Sequence, residues 1–136
     1  MSFVLDASIA AAWFLPDEQH DAADRLMAEL RSAAGVVLGL FWFETRDLFL
    51  VAERRGRLRA GEPLLLMTQL RGLSLEDAES GGDGLVLDLA ARYMLTGYDA
   101  SYVTLAKTRG LPLATGDRKM ARSEGIAIVG PLEHEH

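Results

Sequence analysis

Short apolar runs alternating with longer stretches of helical spacing are what most restrict the fold of this chain. Phe3-Val4-Leu5, Val36-Val37-Leu38, Leu113-Ala114-Thr115 and Ile126-Ala127-Ile128-Val129 read as buried strands, with Leu73-Ser74-Leu75 a further brief candidate. Between them lie helical segments: Ile9 to Leu15, stopped by Pro16; Asp17 to Leu30, ended by Gly35; Phe41 to Arg55, closed by Gly56; and Arg59 to Arg71, with Pro63 tolerable in its first turn. Leu85 to Leu95, Asp99 to Arg109 (capped by Gly110) and a short Arg118 to Glu124 complete the set, with loops at Gly81–Gly84 and Gly97-Tyr98. Buried strands joined by helices need crossover connections. The expected fold class is therefore α/β, with a mostly parallel sheet covered on both faces.

A chain of 136 residues fits one domain, placed at residues 1–130 with a tail over 131–136 that carries no core signal. Its hydrophobic content of 49% can supply a core, and no internal repeat or low-complexity tract interrupts it. The absence of cysteine excludes disulfides, thiol catalysis and cysteine-based zinc sites. A net charge of −6 argues against a protein that coats nucleic acid non-specifically, though not against an enzyme touching a few phosphates. The opening Met1-Ser2-Phe3-Val4-Leu5-Asp6 lacks the basic region of a signal peptide, and no apolar run reaches the roughly 18 residues of a membrane span. A soluble cytoplasmic protein without membrane association is expected.

Acidic residues fall where such a sheet would gather them. Asp6 directly follows the first strand, and Asp117 follows the Leu113–Thr115 strand one glycine later. Strand C-termini in an open parallel sheet share one edge, and ligands bind there. Asp99 opens a helix, and Glu44 lies in the first turns of the helix after the second strand, amid Trp42, Phe43, Leu48 and Val51. A carboxylate among such neighbours needs a partner if buried. Converging carboxylates stay ionised only beside a cation, and an oxygen-only donor set selects a hard ion such as Mg²⁺ or Mn²⁺. The competing reading of each Asp is a helix N-cap, with Ser8 able to cap the first helix in place of Asp6. His20 stands alone, and His134 and His136 lie in the tail.

At these positions the sequence resembles the PIN domain, specifically the VapC-like toxins of bacterial type II toxin–antitoxin pairs. The resemblance is carried by Val4-Leu5-Asp6-Ala7-Ser8, Phe43-Glu44-Thr45, Tyr98 to Ala106 and Leu111 to Asp117. It implies a three-layer α/β/α sandwich and a Mg²⁺- or Mn²⁺-dependent endoribonuclease with an RNA substrate. It also implies a homodimer and a cognate VapB-like antitoxin. Carried over by position, Asp6, Glu44, Asp99 and Asp117 are the acidic quartet, and Ser8 and Thr115 match small hydroxyl residues that line the site. Two positions depart from the pattern. Asp47 stands where many relatives have Asn, sharing a helix face with Glu44 and offering a further carboxylate. Gly116 stands where a bulkier residue is common.

The implied chemistry is metal-assisted hydrolysis of a phosphodiester, leaving a 5′-phosphate and a 3′-hydroxyl. Candidate RNA contacts are Arg118, beside Asp117, and Arg54 and Arg55 in the basic run. The bland reading of that run is a solvated helix end. Two other functions compete. Phosphoryl transfer to Asp6 would want a second Asp two residues on, where Ser8 stands. A non-catalytic α/β interaction domain would use the acids as caps alone.

Overall fold

The central strands are almost wholly apolar because helices cover both of their faces. The computed structural model describes residues 2–18, 20–117, 120 and 128–129. Strand β1 (Phe3–Leu5) leads into α1 (Ala7–Phe14) and α2 (Asp21–Glu29), and β2 (Gly35–Leu38) leads into α3 (Gly39–Arg54) and α4 (Glu62–Arg71). Strand β3 (Leu75–Ala78) is followed by α5 (Asp83–Tyr93), α6 (Gly97–Arg109), β4 (Leu113–Ala114) and β5 (Ile128–Val129). Every pairing is parallel, in the order β3-β2-β1-β4-β5.

Two crossovers step outward from β1 to β3, and the third returns past β1 to β4. With right-handed connections these two directions place their helices on opposite faces, which gives the expected α/β/α sandwich. The packing agrees: α1, α3 and α4 form one layer, while α5 packs on α6, which rests on β1 and β4. Phe3, Val4, Leu5, Val36, Val37, Leu113 and Ala114 are buried between the layers. Reversal of direction at β1 opens a crevice between the ends of β1 and β4, where open α/β sheets bind ligands.

Several expectations are corrected locally. Gly35 does not end α2; Leu30 does. Gly35 instead starts β2, pairing with Phe3 and Leu75. A Cβ there would meet Leu5 Cδ2 at 2.8 Å and Leu75 Cδ2 at 2.9 Å, so close packing, not a turn, requires the glycine. The third strand runs over Leu75–Ala78 rather than Leu73–Leu75. It is a sheet edge bearing Glu76 and Asp77, and charge on an edge strand deters pairing with other chains. His20 is not idle: its Nδ1 accepts the Ala22 N–H at 3.2 Å as the cap of α2. Gly97 and Tyr98 are the first residues of α6, not a break before it. Of the expected Arg118–Glu124 helix only Met120, which is helical, is described; its other residues, Ile126-Ala127 and the tail lie outside the described residues.

Candidate active site

Asp6 leaves β1 in extended conformation and becomes the N-cap of α1. Its Oδ1 accepts the Ser8 N–H at 3.0 Å and the Ser8 hydroxyl at 2.5 Å. Its Oδ2 accepts the Thr115 hydroxyl, delivered from the end of neighbouring β4. Ser8 is thus not the cap; it sits one turn position inside the helix and orients the true cap. The Ser8 oxygen also accepts the Gly116 N–H at 2.7 Å, and Thr115 Oγ1 accepts the Asp117 N–H at 2.9 Å. These bonds fasten the turn after β4 to the turn after β1. Asp117 Oδ1 accepts the Met120 N–H at 3.2 Å, as a helix cap does. Asp6 is thus a helix cap, as the competing reading expects.

Asp99 sits in the first turn of α6 but does not cap it. Thr96 is the cap, accepting the Asp99 N–H on its hydroxyl at 3.0 Å. Across the rim, Glu44 projects from the second turn of α3 and accepts the hydroxyl of buried Tyr102 at 2.5 Å. The sequence alone assigns Tyr102 no role. Its signal is spacing: a tyrosine three residues after Asp99 shares that helix face.

The electrostatics tie these groups together. Burial pushes the Asp6 carboxyl up to about 6, partly offset by the bonds from Ser8 and Thr115, and the Glu44 charge raises it further. Glu44 is also raised, first by its own burial and then by Asp99, against the lowering bond from Tyr102. Tyr102 is held well above the usual phenol range by burial, by Glu44, and by the charges of Asp6 and Asp99. Asp6 is therefore coupled to Glu44, Glu44 to Asp99, and all three bear on a single tyrosine. Among the described residues no three carboxylate or imidazole groups stand close enough to hold one ion jointly. The donors are nonetheless oxygen only, and each would gain from a nearby positive charge.

The remaining candidates divide. Asp47 is exposed on α3. Arg54 and Arg55 end α3, ten and eleven residues beyond Glu44, which at 1.5 Å per residue is about 15 Å down the helix from the rim. Arg57, in the same basic run, is engaged by Asp17 at 2.6 Å and Glu18 at 2.5 Å. Arg118 lies outside the described residues. No helix among the described residues is long and apolar enough to cross a membrane.

A family model described as the PIN domain matches residues 3–125, a span that includes Asp6, Glu44, Asp99 and Asp117. The chain belongs to the PIN domain family. This PIN domain is 32% identical over 126 residues to Ribonuclease VapC3 of Pyrobaculum aerophilum, covering 89% of this chain and 93% of that protein. It superposes on a crystal structure of a Pyrobaculum aerophilum protein with a TM-score of 0.71 at 26% identity, covering 98% of this chain and 85% of that one. It also shares its fold with VapBC2 from Rickettsia felis, solved bound to a DNA fragment from their promoter. There the TM-score is 0.67 at 12% identity, over 96% of this chain and 98% of that one. The crevice of this PIN domain is the end of β1 laced to the end of β4, flanked by Glu44 of α3 and Asp99 of α6.

Proposed function

We propose that this PIN domain is a metal-dependent endoribonuclease, acting as the toxin of a toxin–antitoxin pair. The observation that carries the reading is Asp6. It is buried, held on both carboxylate oxygens by Ser8 and Thr115, and coupled in charge to Glu44, which is coupled in turn to Asp99. A protein built for stability alone gains nothing from mutually repelling carboxylates at one rim. The likeness to a ribonuclease over most of both chains supports the substrate class.

The donor set fits Mg²⁺ or Mn²⁺. Mg²⁺ usually keeps several waters and is bound through one or two carboxylates, which suits a cluster without three converging ligands. Asp6 and Asp99 would hold the ion, with Glu44 and Asp117 completing the shell directly or through water. A bound ion supplies Lewis-acid polarisation of the phosphoryl oxygen and lowers the pKa of a bound water. Glu44, whose proton affinity burial raises, would be the group that accepts a proton. Tyr102 fixes its orientation by donating to Oε1. Transfer of the phosphoryl group to Asp6 is disfavoured, because the residue two on is Ser8, a hydroxyl that donates to Asp6 and cannot act as its acid.

The proposed partners are RNA, a VapB-like antitoxin and a second copy of the chain. The Rickettsia felis likeness supports the antitoxin through fold alone. Helices α3 and α4 contribute Phe41, Trp42, Phe49, Leu66, Met67 and Leu70 to the core, yet leave Phe43, Leu50, Leu64 and Leu65 exposed as a surface for a partner. The proposed compartment is the cytoplasm. The test is incubation of RNA with the purified protein across a titration of Mg²⁺ and Mn²⁺, mapping product ends. Internal cuts with 5′-phosphates are expected; intact RNA at every concentration of either ion would overturn the reading.

A further inference from the structure

An open cleft of about 440 Å³ adjoins the acidic crevice. It is lined by Leu38 at the end of β2, Leu40 at the start of α3, Glu79 and Ser80 after β3, and Tyr98 and Ser101 at the start of α6. That volume lies in the range of small-molecule sites. Its position relative to the crevice follows from helical spacing. Leu40 and Glu44 are four apart on α3, and Tyr98 and Tyr102 are four apart on α6, so each pair shares a helix face. Glu44 and Tyr102 are joined by their hydrogen bond, and Leu40 and Tyr98 line the cleft one turn outward. The two tyrosines differ sharply: Tyr102 is 1% exposed, whereas Tyr98 is 66% exposed at the mouth. Tyr98 is also the immediate neighbour of Asp99.

The lining selects among ligands. Among the described residues it contains leucines, a tyrosine ring, hydroxyls and one carboxylate, and no lysine or arginine. Glu79 would repel a phosphate. Apolar walls with an exposed ring suit a flat heterocycle, and a carboxylate can accept from its exocyclic amine. We propose that this cleft takes one base of the substrate RNA, stacked on Tyr98, while the adjoining phosphate lies over the carboxylates. The proposal rests on the ribonuclease reading and adds to it a seat for a base beside the cut. A partner's peptide is the alternative occupant. The base is favoured because the cleft presents an exposed ring one helical turn from the bond between Tyr102 and Glu44.

The test compares two ligands in Ca²⁺: a random-sequence RNA oligonucleotide and an abasic oligoribonucleotide of equal length. Wild-type protein is expected to prefer the base-bearing strand by about tenfold. Tyr98→Ala is expected to lose that preference. Tyr98→Trp is expected to keep it and to show fluorescence quenching on binding. A preference that survives in Tyr98→Ala overturns the assignment and leaves the cleft to a peptide. Cleavage in Mg²⁺ or Mn²⁺ separates this from the parent reading. A protein that binds through Tyr98 yet never cuts retains the base seat and loses the ribonuclease reading. If the wild type cuts, Tyr98→Ala should raise KM about tenfold with kcat within about twofold. An unchanged KM would remove the base seat and leave the ribonuclease standing.

Discussion

Asp6 carries opposing demands in one side chain. Its bonds from Ser8 and Thr115 favour the carboxylate, while burial and Glu44 favour the acid and prevail, to about 6. The ordinary carboxyl value is 3.8, so between about pH 4 and pH 6 the folded chain keeps a proton that the unfolded chain has lost. Stability contributed by this group is full below that window and falls as pH rises through it. Across about two pH units the loss is about 3 kcal/mol. Asp6→Asn has no such titration. In metal-free protein, its stability relative to wild type should therefore grow from pH 4 to pH 6 and level off above; urea melts at several pH values measure this. A constant difference would refute the burial effect. In catalysis, Asp6→Asn and Asp99→Asn should each abolish metal-dependent RNA cleavage while leaving the far-ultraviolet circular dichroism unchanged.

At the scale of elements, two side-chain bonds couple pieces that the chain separates widely. Tyr102 of α6 donates to Glu44 of α3 from the opposite layer. Tyr102→Phe keeps the ring packed and removes only the hydroxyl. The expected cost is about 1–2 kcal/mol, from losing a hydrogen bond to a charged group, read from urea unfolding at neutral pH. A change within error would mean that water replaces the hydroxyl at no cost. The second bond runs from Trp42 Nε1 to Asp77 Oδ1, 2.8 Å long, holding edge strand β3 against α3. At β2, Gly35→Ala would push a methyl into Leu5 and Leu75, costing about 1–2 kcal/mol through overpacking. That loss should appear in denaturant midpoint without a change in slope.

For the whole molecule, metal and fold should be linked through the crevice. An ion that binds only the folded chain stabilises it by mass action, by about 2.7 kcal/mol at a hundredfold excess over its Kd. For a domain of this size that is a rise in Tm of roughly 5–10 °C. The rise should shrink below about pH 6, where protons compete for Asp6, and should vanish in Asp6→Asn. Calorimetry with Mn²⁺ and with a chelator measures it. An equal rise in wild type and Asp6→Asn would place the ion elsewhere.

The sequence by itself determined the parallel α/β class, the strands at Phe3–Leu5 and Val36–Leu38, and the common edge for Asp6 and Asp117. Those properties follow from local apolar runs and from the rule that parallel strands share their C-terminal rim. It also contained the motifs by which the family is recognised. Only the tertiary structure decided the roles that depend on neighbours distant in the chain. Gly35 looks like a helix stop until Leu5 and Leu75 close on it, and β3 is hard to see because an edge strand keeps its charges in solvent. Ser8 and Asp6 compete on paper for one cap; the hydroxyl of Thr115, 109 positions after Asp6, fixes which of them turns inward. Tyr102 is an ordinary helical tyrosine until the fold brings Glu44 to its hydroxyl. Periodicity reports which face of an element is buried, whereas a hydrogen bond or a shifted pKa depends on what the rest of the chain places against that face.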